Sequence, residues 1–108
     1  MAIPLSDDVR PALDLEGARR DLEARLQAHL DVIADLAPHA LPTIDPVAYQ
    51  TVTTNRQTVS AITAALNRLD AGTYGVCIRC GTEIPPARLE AVPHAAACVP
   101  CQSRVDAG

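Results

Sequence analysis

A chain of 108 residues is long enough for one compact domain or two small modules, and too short for a large enzyme with a deep cleft. Phe and Trp are absent and Tyr occurs only twice, so stability must come from aliphatic packing, a bound metal, or both. The formal net charge is −4 and every basic residue is Arg, which argues against tight, independent binding to DNA or RNA.

The first residues, MAIPLSDDVRP, have neither the basic start nor the apolar stretch of a secretory signal peptide. No apolar run approaches the length needed to span a membrane. We therefore expect a cytoplasmic protein without a membrane partner, in a compartment that keeps thiols reduced. Residues 1–13 are predicted to form a flexible N-terminal segment.

A first helix is predicted from about Asp14, a suitable N-cap, to Ala37. Its apolar residues recur mostly at three-, four- or seven-residue spacing, at Leu15, Leu22, Leu26, Leu30, Ile33 and Leu36. This spacing places them on one face of a helix, while charged residues fill the other faces. Gly17 weakens the first turn.

Three prolines between residues 38 and 46 end this helix. Asp45 followed by Pro46 then predicts an N-cap with proline at the first position of a second helix. The second helix carries an apolar seam of Val52, Val59, Ile62, Leu66 and Leu69, with Asn55 at the missing position. Gly72 is expected to end it in a left-handed conformation. The short connection makes the two helices antiparallel neighbours, with a tip at residues 38–46.

The distal half of this hairpin is acidic. Between Arg25 and Arg56 the only side chains that can carry a positive charge are His29 and His39. Asp31, Asp35 and Asp45 lie in the same stretch. From charge alone two interpretations stay open: a solvated helix end, or a tip that approaches a metal ion or a basic channel. Asn55 likewise is either a polar residue that sets the register of the seam or a contact to a ligand.

The four cysteines follow the pattern C-x2-C-x17-C-x2-C, as Cys77, Cys80, Cys98 and Cys101. This spacing predicts two thiolate pairs that face each other around one tetrahedral zinc ion, with no coordination position left for water. The site is therefore expected to be structural, and we predict no catalytic residue. His94 is a less suitable ligand because four cysteines complete the set. A thiol–disulfide catalyst is the alternative, although such enzymes use one pair in a βαβ setting.

Residues 66–102 resemble the DksA/TraR zinc-finger family of bacterial regulators that bind RNA polymerase. The matching positions are Leu69, Gly72, Tyr74-Gly75, Cys77-x2-Cys80-Gly81, Ile84, Arg88-Leu89, Ala91, Pro93 and Cys98-x2-Cys101. Upstream, Asn55-Arg56 stands where the second helix of the family commonly carries Asn-Arg. The resemblance implies that the hairpin enters the secondary channel of the polymerase. It also implies that Asp45, Asp35 and Ala48 at the tip, with Asn55 and Arg56 on the second helix, contact this partner.

Two departures from the family pattern bear on function. The family's tip motif is D-x-x-D-x-A, but here Ala48 and Gln50 follow Asp45 where the second Asp and the Ala belong. Relatives that bind guanosine tetraphosphate (ppGpp) use Lys and Arg on the second helix, and this chain has no basic residue between Thr58 and Asn67. We therefore expect little or no response to ppGpp.

The sequence thus predicts an all-α fold with a small zinc module. An antiparallel two-helix coiled-coil hairpin (residues 14–72) precedes a four-cysteine zinc finger (73–103) and a short C-terminal tail (104–108). The expected function is transcription regulation by binding RNA polymerase, without recognition of DNA sequence, by a protein that is monomeric or, if its apolar seam pairs between chains, dimeric. The alternative is a zinc-stabilised protein-interaction module that has lost the activity of the tip.

Overall fold

The computed structural model describes residues 14–107, so the N-terminal segment predicted to be flexible lies outside the described residues. Helix α1 spans Leu15–Leu36, α2 Pro46–Ala71, α3 Pro86–Ala91 and α4 Val99–Ala107, and a 3-10 turn covers Ala37–His39. The molecule measures 65 × 32 × 21 Å because α1 and α2 form one long antiparallel hairpin. No helix in the described part of the chain has both the length and the hydrophobicity to cross a bilayer.

Both hairpin helices begin at the predicted aspartates. The Asp14 carboxylate accepts a hydrogen bond of 2.9 Å from the amide of Gly17, and the Asp45 carboxylate accepts one of 3.0 Å from the amide of Ala48. Each bond satisfies an amide that has no partner within the first turn of its helix. Pro46 occupies the first turn of α2, and Gly72 ends that helix with a φ of 79°, in the left-handed region. These predicted helix ends are confirmed.

The seam between α1 and α2 is buried along only part of its predicted length. Leu22 and Ile62 have no exposed surface, and Val52 is also buried. Leu15 and Leu30, predicted to belong to the same apolar face, are 50% and 40% exposed instead. A helix in a two-helix hairpin has a single neighbour, so side chains at the borders of a broad apolar stripe stay in solvent.

The base of the hairpin and the zinc module share one hydrophobic core. Leu22, Ile62 and Ala65 from the two long helices belong to the same buried cluster as Ile84 and Leu89 from the cysteine-containing region. The three buried cysteines are also members of this cluster. The hairpin is therefore anchored at its base, while its tip projects away from the core.

The end of the chain differs from the predicted tail. Residues 104–107 continue α4, which extends through Ala107. Between Gln102 and Asp106 the side chains form a hydrogen bond of 3.0 Å, four residues apart on one helix face. No Gly or Pro lies between Gln102 and Ala107 to interrupt the helix.

Candidate metal centre

The first cysteine pair lies on a tight turn. The amide of Gly81 donates to the carbonyl oxygen of Cys77 at 3.0 Å, and the amide of Arg79 points at the Cys77 sulfur at 3.4 Å. Gly81 has a φ of 78°, which residues with a Cβ rarely adopt. The turn thus brings the sulfurs of Cys77 and Cys80 to one side of the backbone.

The second pair is placed by the start of α4. Cys98 immediately precedes this helix and Cys101 lies in its first turn. The amide of Gln102 donates to the carbonyl oxygen of Cys98 at 2.9 Å, which fixes the helical geometry of this segment. Residues three apart on a helix lie on the same face, so both thiols point toward the first pair.

The four sulfur atoms lie together in a compact group. All lie within 4.8 Å of one another, and the Cys80 and Cys98 sulfurs are 3.7 Å apart. In a tetrahedral site with Zn–S bonds of about 2.3 Å, neighbouring sulfurs are about 3.8 Å apart. The donor set and the spacing therefore fit one zinc ion bound by four thiolates. Among the described residues His94 is not a member of this group, as predicted.

The thiols differ in environment. Cys77, Cys98 and Cys101 are buried, whereas Cys80 is exposed and lies 2.9 Å from the Thr82 hydroxyl. In the metal-free site, hydrogen bonds from the backbone amides of Cys98 and Cys80 lower the pKa of Cys77 to about 6. The pKa of Cys101 is raised to about 12, mainly by its side-chain hydrogen bond to Cys98 and to a lesser extent by burial. Zinc must therefore displace a proton from Cys101 at neutral pH.

Three long side chains hold the loop between the cysteine pairs. The Tyr74 hydroxyl donates to the carbonyl oxygen of Pro93 at 2.8 Å, in a buried position. Arg68 on α2 and Arg88 on α3 donate in the same way to the carbonyl oxygens of residues 95 and 97, at 3.4 and 3.1 Å. These bonds tie alternate carbonyl oxygens of one loop to α2, to α3 and to the turn that contains Tyr74. Burial raises the pKa of Tyr74, so its hydroxyl stays protonated at neutral pH.

Periodicity and spacing did not predict these loop contacts. Arg68 is half-buried and its side chain reaches a carbonyl 27 residues further along the sequence. Burial lowers its pKa. In the sequence, Tyr74 and Arg88 are marked only by their match to the family pattern. The one sequence feature that could have indicated a structural role for Tyr74 is the scarcity of aromatic residues, since Tyr74 is one of just two in the chain.

The residues predicted at the hairpin tip lie in three different environments. Asp35 is exposed near the end of α1, while the Asp45 carboxylate is hydrogen-bonded as the cap of α2. Ala48 is only 6% exposed, and its contact with a partner stays a prediction. As the third residue of the capped helix, Ala48 presents its methyl group to the interior of the hairpin.

The two residues predicted on the second helix also differ in their surroundings. Asn55 is half-buried and bonds to His29 across the hairpin, at 2.6 Å. Arg56 is exposed and lines a shallow pocket of about 300 Å³ together with Ala37, Ala40 and Tyr49. Arg56 is thus the more exposed of the two, and the contact of either residue with a partner stays a prediction.

The fold and the site define a class of protein, a helical hairpin attached to a four-cysteine zinc finger. Residues 72–107 match the family model for the prokaryotic DksA/TraR C4-type zinc finger. The resemblance seen in the sequence is thus confirmed for this part of the chain. The four cysteines form its zinc site.

Known proteins resemble the chain beyond the finger. General stress protein 16O of Bacillus subtilis is 40% identical over 72 residues, which are 66% of this chain and 44% of that protein. The RNA polymerase-binding transcription factor DksA of Caulobacter vibrioides is 37% identical over 86 residues, 79% of this chain and 61% of the relative. The chain thus spans less than two thirds of the length of either curated relative.

A solved structure agrees with the overall fold. The RNA polymerase binding protein and transcriptional regulator Dks from Chlamydia trachomatis superimposes with a TM-score of 0.53 at 28% identity. The match covers 91% of this chain and 95% of the other. The predicted fold class, a helical hairpin followed by a zinc finger, is confirmed.

Proposed function

We propose that this protein is a cytoplasmic transcription regulator that binds RNA polymerase through the secondary channel, with the hairpin as the inserted element. The observation that carries the proposal is the shape of the molecule. A zinc-anchored base carries a hairpin whose helices are about 33 and 39 Å long, at about 1.5 Å per residue. A projection of this kind can enter a channel while the base stays at its rim.

The charge of the hairpin supports the same function. The distal half carries Asp31, Asp35 and Asp45 and no Arg or Lys, so it is attracted by cationic channel walls and repelled by nucleic acid. This distribution supports binding to the polymerase without recognition of DNA sequence. The proteins from Caulobacter and Chlamydia that the chain resembles are described as binding RNA polymerase.

The proposal includes three further properties. The protein has no enzymatic activity of its own, since four thiolates complete a tetrahedral zinc site and leave no position for water. It responds little to ppGpp, because the described part of α2 from Thr58 to Asn67 offers no cation. It acts as a monomer, because α1 and α2 of one chain pair with each other along the seam.

A binding assay with the cognate polymerase tests the proposal. Labelled, zinc-loaded protein should bind with a Kd in the micromolar range or tighter, and an unlabelled secondary-channel protein should displace it. In vitro transcription with the same polymerase should change when the protein is added, and this change should be the same with and without ppGpp. Absence of binding at micromolar concentrations, or binding that the competitor does not displace, would contradict the proposal.

The buried position of Ala48 favours one second candidate. Where the family motif has its second aspartate, this chain has a methyl group packed inside the hairpin. The protein could in that case be a zinc-stabilised interaction module that binds without altering transcription. Binding to polymerase with an unchanged transcription yield at several promoters would support this alternative.

A further inference from the structure

The tip of the hairpin exposes several large apolar side chains in addition to its carboxylates. Four of the exposed large hydrophobic side chains of the described chain fall within nine residues, at Leu41, Ile44, Val47 and Tyr49. Ile44 is 73% exposed and Val47 is 75% exposed, more than the other large hydrophobic residues. Single exposed apolar residues are ordinary, but several together at the end of a projection mark an interaction surface.

The local backbone holds this surface in place. The amides of Ile44 and Asp45 both donate to the carbonyl oxygen of Leu41, at 3.0 and 2.8 Å, which closes a tight turn. The Asp45 carboxylate then caps α2 through the amide of Ala48. Ile44 and Val47 flank this cap on either side, so the turn and the cap together present both side chains to solvent. We name Leu41, Ile44 and Val47 the apolar tip.

The surroundings of the apolar tip restrict what can cover it. Asp31 and Asp35 are exposed on the last turns of α1, and the distal half of the hairpin contains no Arg or Lys. Two such tips repel each other, which disfavours a second copy of this chain. Nucleic acid and anionic lipid are repelled for the same reason. The complementary surface is a protein pocket with an apolar floor and a cationic rim.

We infer that the apolar tip, rather than the carboxylate of Asp45, supplies the main contact at the end of the hairpin, and that its partner is an apolar pocket with a cationic rim on RNA polymerase. This inference rests on the proposed function and adds the chemistry of the contact. Ile44 and Val47 enter the pocket, Asp31 and Asp35 face its rim, and Asp45 shapes the tip by capping α2.

The test uses the full-length, zinc-loaded protein and the cognate polymerase. The double variant Ile44→Ser/Val47→Ser removes the two most exposed side chains, and Val105→Ser on α4 is the matched control, since Val105 is 48% exposed and distant from the tip. We expect the Kd for polymerase to rise at least about tenfold in the double variant, because each aliphatic side chain loses its burial. The control should stay within about twofold of wild type.

The variant Ile44→Ser alone keeps the test valid if the double variant loses helicity, because Ile44 lies outside both helices. It should raise the Kd at least about threefold. If the wild type binds polymerase and the tip variants have the same Kd, this inference is overturned and the proposed function stands. The same holds if the Val105→Ser control loses as much affinity as the tip variants. A wild-type protein that does not bind polymerase would overturn both. Concentration-dependent dimers that disappear in the double variant would instead assign the tip to a second copy and overturn the choice of polymerase.

Discussion

His29 on α1 and Asn55 on α2 are joined across the hairpin by a hydrogen bond of 2.6 Å between Nδ1 and Oδ1. The amide nitrogen of Asn55 donates to the carbonyl oxygen of Thr51 at 2.8 Å, so its oxygen faces the imidazole. His29 Nδ1 is therefore the donor and carries a hydrogen. This half-buried polar pair interrupts an apolar seam and selects the register in which both groups are paired.

Removing either member of this pair is expected to destabilise the hairpin. His29→Ala and Asn55→Ala should each lower the free energy of unfolding by about 1–2 kcal/mol, because the remaining group is left half-buried without its partner. A double-mutant cycle should give a coupling energy of about 1 kcal/mol, measured by urea unfolding at saturating zinc. The exposed pair Gln27 and Asp31, 2.8 Å apart on α1, is the control and should couple by less than about 0.5 kcal/mol. Additive effects of His29→Ala and Asn55→Ala would contradict the pairing.

The cap of α1 uses space that a Cβ on Gly17 would occupy. A Cβ at this position would overlap the carboxylate of Asp14 and lie 2.8 Å from its Cγ. Gly17→Ala, which usually stabilises a helix by about 1 kcal/mol, should therefore give no gain or a loss in the wild type. In an Asp14→Ala background the same change should stabilise by about 1 kcal/mol, as measured by thermal unfolding. Equal effects in the two backgrounds would show that the cap does not depend on Gly17.

The helix ends could be predicted because their signals are local. Asp14, Asp45 with Pro46, and Gly72 each act on amides or carbonyls within a few residues, so the sequence contains the whole interaction. The bond between His29 and Asn55 could not be predicted in this way. It depends on how far one helix is rotated against the other, which is set by packing along the entire seam.

At the metal site, too, the local features could be predicted from the sequence and the long-range contacts could not. Four cysteines at fixed spacing suffice to predict a zinc ion, because each pair is placed by one turn of backbone. The bonds from Arg68, Tyr74 and Arg88 to the loop carbonyls join segments up to 27 residues apart, and sequence spacing contains no signal for them. The burial of Ala48 is equally a result of helix rotation. Alanine at a tip gives no indication of whether it faces solvent or the partner helix.

Zinc removal is expected to weaken the base of the hairpin as well as the finger. Leu22 and Ile62 share their buried cluster with Cys77, Cys98 and Cys101, so the loss of the metal removes the support on one side of the same core. Chelation should lower the melting temperature by at least about 10 °C, and hydrogen exchange should accelerate around Leu22 and Ile62. A metal-free protein with unchanged helicity, melting temperature and exchange would contradict this prediction.

Zinc affinity is expected to rise with pH across the neutral range. The metal-free Cys101, with a pKa of about 12, holds a proton that the zinc-bound thiolate has lost. The bound state carries fewer protons, so raising the pH favours it, and lowering the pH favours release. Apparent affinity should increase about tenfold or more per pH unit between pH 6 and 8, measured by competition with a chromophoric chelator. An affinity independent of pH in this range would mean that all four thiols are already ionised without the metal.

Substitutions at Asp45 separate the charge of the tip from its structure. Asn caps a helix about as well as Asp but carries no charge. Ala carries no charge either, and it cannot cap the helix. Because the carboxylate already accepts a bond from the amide of Ala48, we expect Asp45→Asn to keep both the stability and the transcriptional effect of the wild type. Asp45→Ala should lower the free energy of unfolding by about 1 kcal/mol and weaken the effect on transcription, since the turn that presents Ile44 and Val47 loses its cap. Thermal unfolding and in vitro transcription measure the two quantities, and a loss of transcriptional effect in Asp45→Asn equal to that in Asp45→Ala would show that the charge itself acts on the polymerase.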